Sequence, residues 1–225
     1  MARRPSTAPP VSLAESQLAP KKRPAQQRSV ETYERLLAVT AELLAEVGVE
    51  RLSTNLVCQR AGLSPPALYR YFPNKYALLH ALGERLMQAQ NALIGKWLTP
   101  EVLAAPDAQL HTQLVGLFLD THRVTTQSTA GIWVTRALRA IPALEAVRVA
   151  SHNTVTDELQ QAIRALHPEV DGRRLRIHIR MAVEVMYAAM EMLFDDPTLS
   201  RRAVADSTAW VVYDLFRRLG LAPDA

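Results

Sequence analysis

Cysteine occurs once in these 225 residues, at Cys58, so no disulfide can form within the chain and a reducing cytoplasm is the expected setting. No apolar run approaches ~18 residues, which argues against a membrane-crossing helix. The amino-terminal stretch also lacks the apolar centre of a secretory leader. Glycine, at 8 residues, nowhere builds a phosphate-cradling loop or a nucleophile elbow. The histidines His80, His111, His122, His152, His167 and His178 never stand one helical turn apart, and neither Cys-x-x-Cys nor His-Glu-x-x-His occurs. Adjacent carboxylates at Asp157-Glu158 and Asp195-Asp196 would point apart on a helix rather than share a proton. No metal, no cofactor and no catalytic activity are expected, and no membrane partner.

What the chain does have is apolar content and helical spacing. Hydrophobic residues make up 48%, which excludes a disordered protein. Strand alternation and internal repeats are absent, so the expected fold is all-α. Charge is unevenly placed. Residues 1–80 carry 11 Lys/Arg and 6 Glu, a balance of +5, while residues 81–225 carry 15 Lys/Arg and 16 Asp/Glu, a balance of −1. A basic amino-terminal third fits a polyanionic partner, although a solvated basic face would look the same. Residues 1–27 hold five of the 14 prolines, with Arg3, Arg4, Lys21, Lys22 and Arg23, and are expected to form a disordered arm. Lys21–Arg23 could lie along phosphates or serve only to keep the protein soluble.

The most informative stretch is Leu52–Lys75, LSTNLVCQRAGLSPPALYRYFPNK. Ser53 is placed to cap a short helix whose apolar side is Leu56, Val57 and Ala61. Gly62 follows where the chain must reverse, and glycine accepts positive φ at little cost. Ser64 can cap the next helix, with Pro65 at its first position. Leu68 and Phe72, four apart, must point inward, leaving Pro66, Ala67 and Arg70 outward and flanked by Tyr69 and Tyr71. Such a pair of short helices across an Ala-Gly turn is a helix-turn-helix, expected at 52–71.

The run AGLSPPALYRYFPNKYALL, behind a long amphipathic helix, resembles the DNA-binding domain of the TetR family of bacterial transcriptional regulators, over about residues 28–88. Two positions depart from that pattern: Leu56 where a polar or acidic residue is usual, and Cys58 where alanine is. The resemblance implies that the second short helix is the recognition helix, with Ser64, Pro65, Pro66, Ala67, Tyr69 and Arg70 at the DNA. Arg70 is the expected base reader, since a guanidinium can take guanine O6 and N7 together. Thr54, Tyr69 and Tyr71 are better suited to phosphates. Lys75 opposes the dipole of the helix that Asn74 should cap, a conflict that a docked phosphate would remove.

A bracing helix is expected at Ser29–Val47, stopped by Gly48, and a long one from Asn74 through Trp97 to Thr99-Pro100. Beyond it, spacing predicts helices near 107–125, 130–140, 143–166, 172–195 and 199–219, with breaks at Pro106, Pro142, Pro168 and Pro197. Residues 89–225 would then form a helical effector-binding and dimerisation domain. The resemblance places an inducer pocket among its middle helices, where Phe118, His122, Trp133, Met186, Tyr187 and Met190 form an apolar set with polar tips. Arg123 and Arg136 could hold an anionic group of a ligand. The resemblance also implies that the last two helices pair with a second subunit, here through Met181, Val185, Met192, Ala205, Ala209, Val212 and Phe216, burial within one chain being the alternative. The resulting expectation is a homodimeric repressor on palindromic double-stranded DNA, released by a small hydrophobic or aromatic effector. The other reading is a DNA-binding protein without an inducer, whose carboxyl-terminal part binds a protein partner or assembles on DNA.

Overall fold

A computed structural model describes residues 26–104 and 108–221, and these are helical throughout, with no strand among them. The order is α1 (Gln27–Arg51), α2 (Thr54–Ala61), α3 (Pro65–Tyr69), α4 (Lys75–Asn91), α5 (Ile94–Trp97) and α6 (Pro100–Ala104), then α7 (Ala108–Gln127), α8 (Gly131–Ala140), α9 (Glu145–Leu166), α10 (Gly172–Asp195) and α11 (Arg201–Arg217). The fold is all-α, as the spacing predicts. Of the arm expected at 1–27, residues 1–25 lie outside the described residues, as does the break at Pro106, and Gln27 already belongs to α1.

Local chemistry explains the first boundaries. Gly48 takes φ 73° and does interrupt α1, but the chain re-enters helix for one more turn to Arg51. Ser53 caps α2 by accepting from the Leu56 N–H at 3.2 Å. Gly62 ends it in the left-handed region, at φ 63° and ψ 37°. The Leu63 N–H then reaches the Cys58 carbonyl at 3.0 Å and the Gly62 N–H that of Gln59 at 3.3 Å, the two bonds of a Schellman turn. Pro65 opens α3, but the Ser64 side chain does not cap it; only the Ser64 carbonyl takes part, accepting from Ala67. Asn74 Oδ1 accepts from the Ala77 N–H at 3.0 Å and starts α4.

The long rod expected from Asn74 to Trp97 is instead broken. α4 ends at Asn91, Ala92 and Leu93 form a tighter turn with right-handed helical angles, and α5 follows. The Trp97 ring lies against α7 at Gly116, where an added Cβ would lie 2.2 Å from the ring, so only glycine admits this approach. Trp97 Nε1 donates to Asp120 Oδ2 at 3.0 Å, and Lys96 and Arg123 also donate to that carboxylate. The Lys96 ammonium, with Arg123 and Trp97, holds the Asp120 carboxyl down at about 2. Thr99-Pro100, a stop signal by composition, works here as a start: Thr99 Oγ1 accepts from Val102 N at the head of α6.

Two cores result. One unites α1–α4, with Leu36, Leu43, Leu44, Leu68, Phe72 and Leu78 fully buried. α8 closes this core with Val134, Ala137 and Leu138, so the amino-terminal helices are seated on the rest of the chain through α8 and α4. The other core lies among α5–α7 and α9–α11. Among the described residues no helix is long and apolar enough to cross a membrane.

Candidate nucleic-acid interface and cavity

The outer edge of α3 is built by the inward anchoring of its neighbours. Leu68 and Phe72 are fully buried, and the Phe72 ring stacks on Tyr33 of α1 at 4.8 Å. That fixes α3 so that Ser64, Pro65, Pro66, Tyr69 and Arg70 face out and Ala67 is half-buried. Arg70 enters no ion pair among the described residues, its guanidinium resting 6.0 Å from the Tyr71 ring. Three other basic groups of this region are engaged. Arg60 makes a two-pronged bond to Glu46, each arm 2.9 Å, and Arg85 pairs with Glu34. Arg51 donates to its own helix at the Val47 carbonyl. Thr54 Oγ1 and Tyr69 Oη share a hydrogen bond at 3.1 Å, so the two hydroxyls present themselves as a unit linking the start of α2 to the end of α3.

Two of the expected contact residues sit elsewhere. Tyr71 does not face out with Tyr69: it is 7% exposed and packs edge-on against Tyr33 at 6.2 Å. Its position three residues after Leu68 puts it on the inward side, which counting polar tips along the chain does not register. Lys75 does not stand free at the α4 terminus. Its Nζ donates to the carbonyls of Val49, at 3.1 Å, and Leu52, at 3.2 Å, the unpaired acceptors where α1 ends. The conflict with the α4 dipole is therefore offset by the opposite dipole end of α1, with no phosphate required. Lys75→Ala should then lower the melting stability of the protein by about 1–2 kcal/mol. The slope of DNA affinity against salt should stay unchanged. A slope that falls by about one unit, with stability intact, would return Lys75 to the phosphates.

Of the expected pocket residues, Met186, Tyr187 and Met190 line a cavity of about 50 Å³ between α4, α7, α9 and α10. Phe118 and His122 are buried but belong to the surrounding core, His122 with its ring 5.5 Å from that of Phe194. Trp133 is 42% exposed and lies on the far side of α8, along an open groove by Val47–Arg51. Arg136 and Arg123 are committed to acids of the chain itself, Arg136 to Glu191 and Asp195 and Arg123 to Asp120. Polar cavity residues that sequence spacing missed are Gln90 and Asn91, from α4, Thr121, from α7, and His152, from α9. No local signal marks them, since they meet only across long separations. Tyr187 Oη donates to Gln90 Oε1 at 2.7 Å, and Gln90 Nε2 donates to Thr125 Oγ1 at 2.7 Å. His152 stacks on Tyr187 at 4.8 Å and approaches Glu184 at 3.1 Å. Burial pushes the His152 pKa down to about 4, with Glu184 opposing and Arg180 and Arg148 adding to the fall.

The helices expected to meet a partner split in two. Met181 and Met192 of α10 are 48% and 46% exposed, with Ile177 at 52% along the same side, and Val185 is half-buried beside them. Ala205, Ala209, Val212 and Phe216 of α11 are instead buried in this chain, where α11 packs against α7. The outward side of α11 carries Trp210 and Val211, 46% and 51% exposed. Periodicity identified the apolar stripe of α11 but not which neighbour covers it.

With this geometry in place, comparison with known proteins is specific for the amino-terminal helices. The family described as "Bacterial regulatory proteins, tetR family" matches residues 36–82, from the middle of α1 into α4. The class C tetracycline repressor protein of Escherichia coli is 44% identical over 54 residues, which cover 24% of this chain and 25% of that protein. Nucleoid occlusion factor SlmA of Haemophilus ducreyi is 38% identical over 65 residues, or 28% of this chain and 32% of that one. The matched segments thus span about a quarter to a third of these relatives' length. A tetR-family transcriptional regulator of Streptomyces coelicolor shares the fold over 84% of this chain and 82% of its own, at a TM-score of 0.57 and 18% identity. Residues 36–82 thus match the TetR family of bacterial regulatory proteins, and the all-helical fold that extends well beyond them is the one this Streptomyces coelicolor protein also has.

Proposed function

We propose that this protein is a DNA-binding transcriptional regulator, acting in the cytoplasm as a homodimeric repressor on an inverted-repeat operator. The observation that carries the reading is the outward edge of α3. Pro65, Pro66, Tyr69 and Arg70 project behind the Gly62 turn, with Arg70 in no ion pair among the described residues. The amino-terminal unit would be residues 28–88, with the carboxyl-terminal remainder serving effector binding and dimerisation. The exposed apolar line of Ile177, Met181 and Met192 on α10, with Trp210 and Val211 on α11, supports a second copy packed on this face. Two α3 edges would then meet successive major grooves, about 34 Å apart or further.

The cavity by Met186, Tyr187 and Met190 is the proposed effector site. An effector that favours a spacing of the two α3 edges unsuited to DNA would lower operator affinity by population shift. A second reading, in which no small molecule acts and the carboxyl-terminal part binds a protein partner, is favoured by the small resting size of that cavity, about 50 Å³.

Selection of bound sequences from a random DNA pool tests the first reading, with affinities of the winners measured by anisotropy. Enriched inverted repeats are expected. Uniform, steeply salt-dependent binding to all sequences would sink the operator proposal. Within the enriched operator, Arg70→Ala should cost about 1–3 kcal/mol at one base pair and relax preference there. An equal loss on every operator variant would show that Arg70 does not read a base.

A further inference from the structure

We propose that the cavity between α4, α7, α9 and α10 takes a small uncharged molecule with an apolar body and one hydrogen-bond donor, a phenolic hydroxyl being the simplest, which it presents to Nε2 of His152. This rests on the reading of that cavity as the effector site.

The polarity follows from His152. Its Nδ1 lies 3.1 Å from Glu184 Oε1, and a carboxylate only accepts, so Nδ1 carries the proton. The neutral ring leaves Nε2 as a bare acceptor. That nitrogen is buried, on a residue 1% exposed, and has no partner among the described residues. Burial keeps the ring in this neutral state at neutral pH, its pKa lying at about 4. Among the other polar groups in the wall, Asn91 Oδ1 accepts from the Ser151 hydroxyl. The Tyr187 hydroxyl donates to Gln90, the Gln90 amide donates to Thr125, and the Thr121 hydroxyl donates to the Leu117 carbonyl. The open position therefore asks for a donor.

The rest of the wall sets the body of the guest. Ile94, Leu117, Val155, Val183, Met186 and Met190 surround it, and an ion placed there would lose its hydration without compensation. The resting space of about 50 Å³ is smaller than the roughly 150 Å³ that receives benzene in an engineered cavity, so a ring must displace part of the wall. Met186 and Met190 are side chains that re-pack readily. Gln90 and Asn91, at the end of α4, form another part of the same wall. Expansion would press on the helix whose other end follows α3, which links occupancy to the position of the DNA-facing edge.

Methyl NMR on the full chain carrying labelled methionine tests this with phenol, anisole and toluene as probes. Phenol should shift Met186 and Met190 while leaving exposed Met181 and Met192 unmoved. It should bind roughly tenfold more tightly than anisole, which has the oxygen but no donor. In His152→Phe the preference for phenol should vanish while toluene binds at least as well. If that variant does not fold, the phenol and anisole comparison on the unaltered chain decides alone. Equal affinities for the three probes would overturn the donor assignment and leave the effector site standing. No response of Met186 or Met190 to any of them would overturn both, with a water serving Nε2 instead.

Discussion

Phe72→Ala is expected to remove about 3–5 kcal/mol of stability, more than any other change considered for the amino-terminal helices. Phe72 is fully buried and its ring lies 4.8 Å from that of Tyr33, tilted by 28°. Tyr33 in turn meets Tyr71 edge-on at 6.2 Å, so one ring removed leaves two others without a wall. Collapse around the gap is restricted, because Leu36, Leu68 and Leu78 nearby are themselves fully buried and already packed. Thermal unfolding followed by circular dichroism should show a midpoint lowered by about 6–20 °C, if the chain unfolds as one unit. DNA binding should fail with it, since α3 is held to α1 through this contact. A loss under about 1 kcal/mol would mean that the site relaxes freely and that α3 is positioned by something else.

Acidification is the second large effect. Between pH 6.5 and 4 the protein should lose about 3 kcal/mol of stability through His152. The folded-state pKa is pushed down to about 4, chiefly by burial. In the unfolded chain the ring takes its proton near pH 6.5, whereas the folded chain refuses it until about 4. The unfolded state thus binds more protons throughout this window, and stability falls as pH falls. Glu184 and Tyr187 of α10 meet the ring directly, Arg180 of α10 and Arg148 of α9 act on it by charge, and Arg139 of α8 reaches it only through its pair with Glu184. His122 acts in the same sense, lowered by burial and by Arg201. Asp120, held at about 2, loses its contribution only below its ordinary pKa of 3.8 and so stays out of the window. Urea melts across a pH series should show the slope, and His152→Gln should flatten it. A curve already flat between pH 6.5 and 5 would mean that His152 accepts its proton in the folded state.

The parts legible along the chain are those whose cause lies within a few residues. Ser53, Gly62, Pro65 and Asn74 act on their own helix ends, and both ends of α2 and the starts of α3 and α4 follow from such neighbours. Helix spans from α7 to α11 were legible for a similar reason, since proline and polar breaks interrupt long apolar periods. Even here a signal could be ambiguous: Thr99-Pro100 both halts and launches a helix, so α6 went unseen.

What depended on tertiary structure was the partner of each side chain. Lys75 has one ammonium and many possible acceptors, and only the fold brings the carbonyls of Val49 and Leu52 to it. Ala205, Ala209, Val212 and Phe216 form a real apolar face, but α7 of the same chain reaches it first. The cavity is of this kind as well, because Gln90, His152 and Tyr187 come from three helices and no spacing relates them. Helix type and helix ends are decided by short-range hydrogen bonding and backbone sterics, which residue order encodes directly. Pairing, burial and cavities are decided by which surfaces exclude water together, and that is a property of the packed molecule.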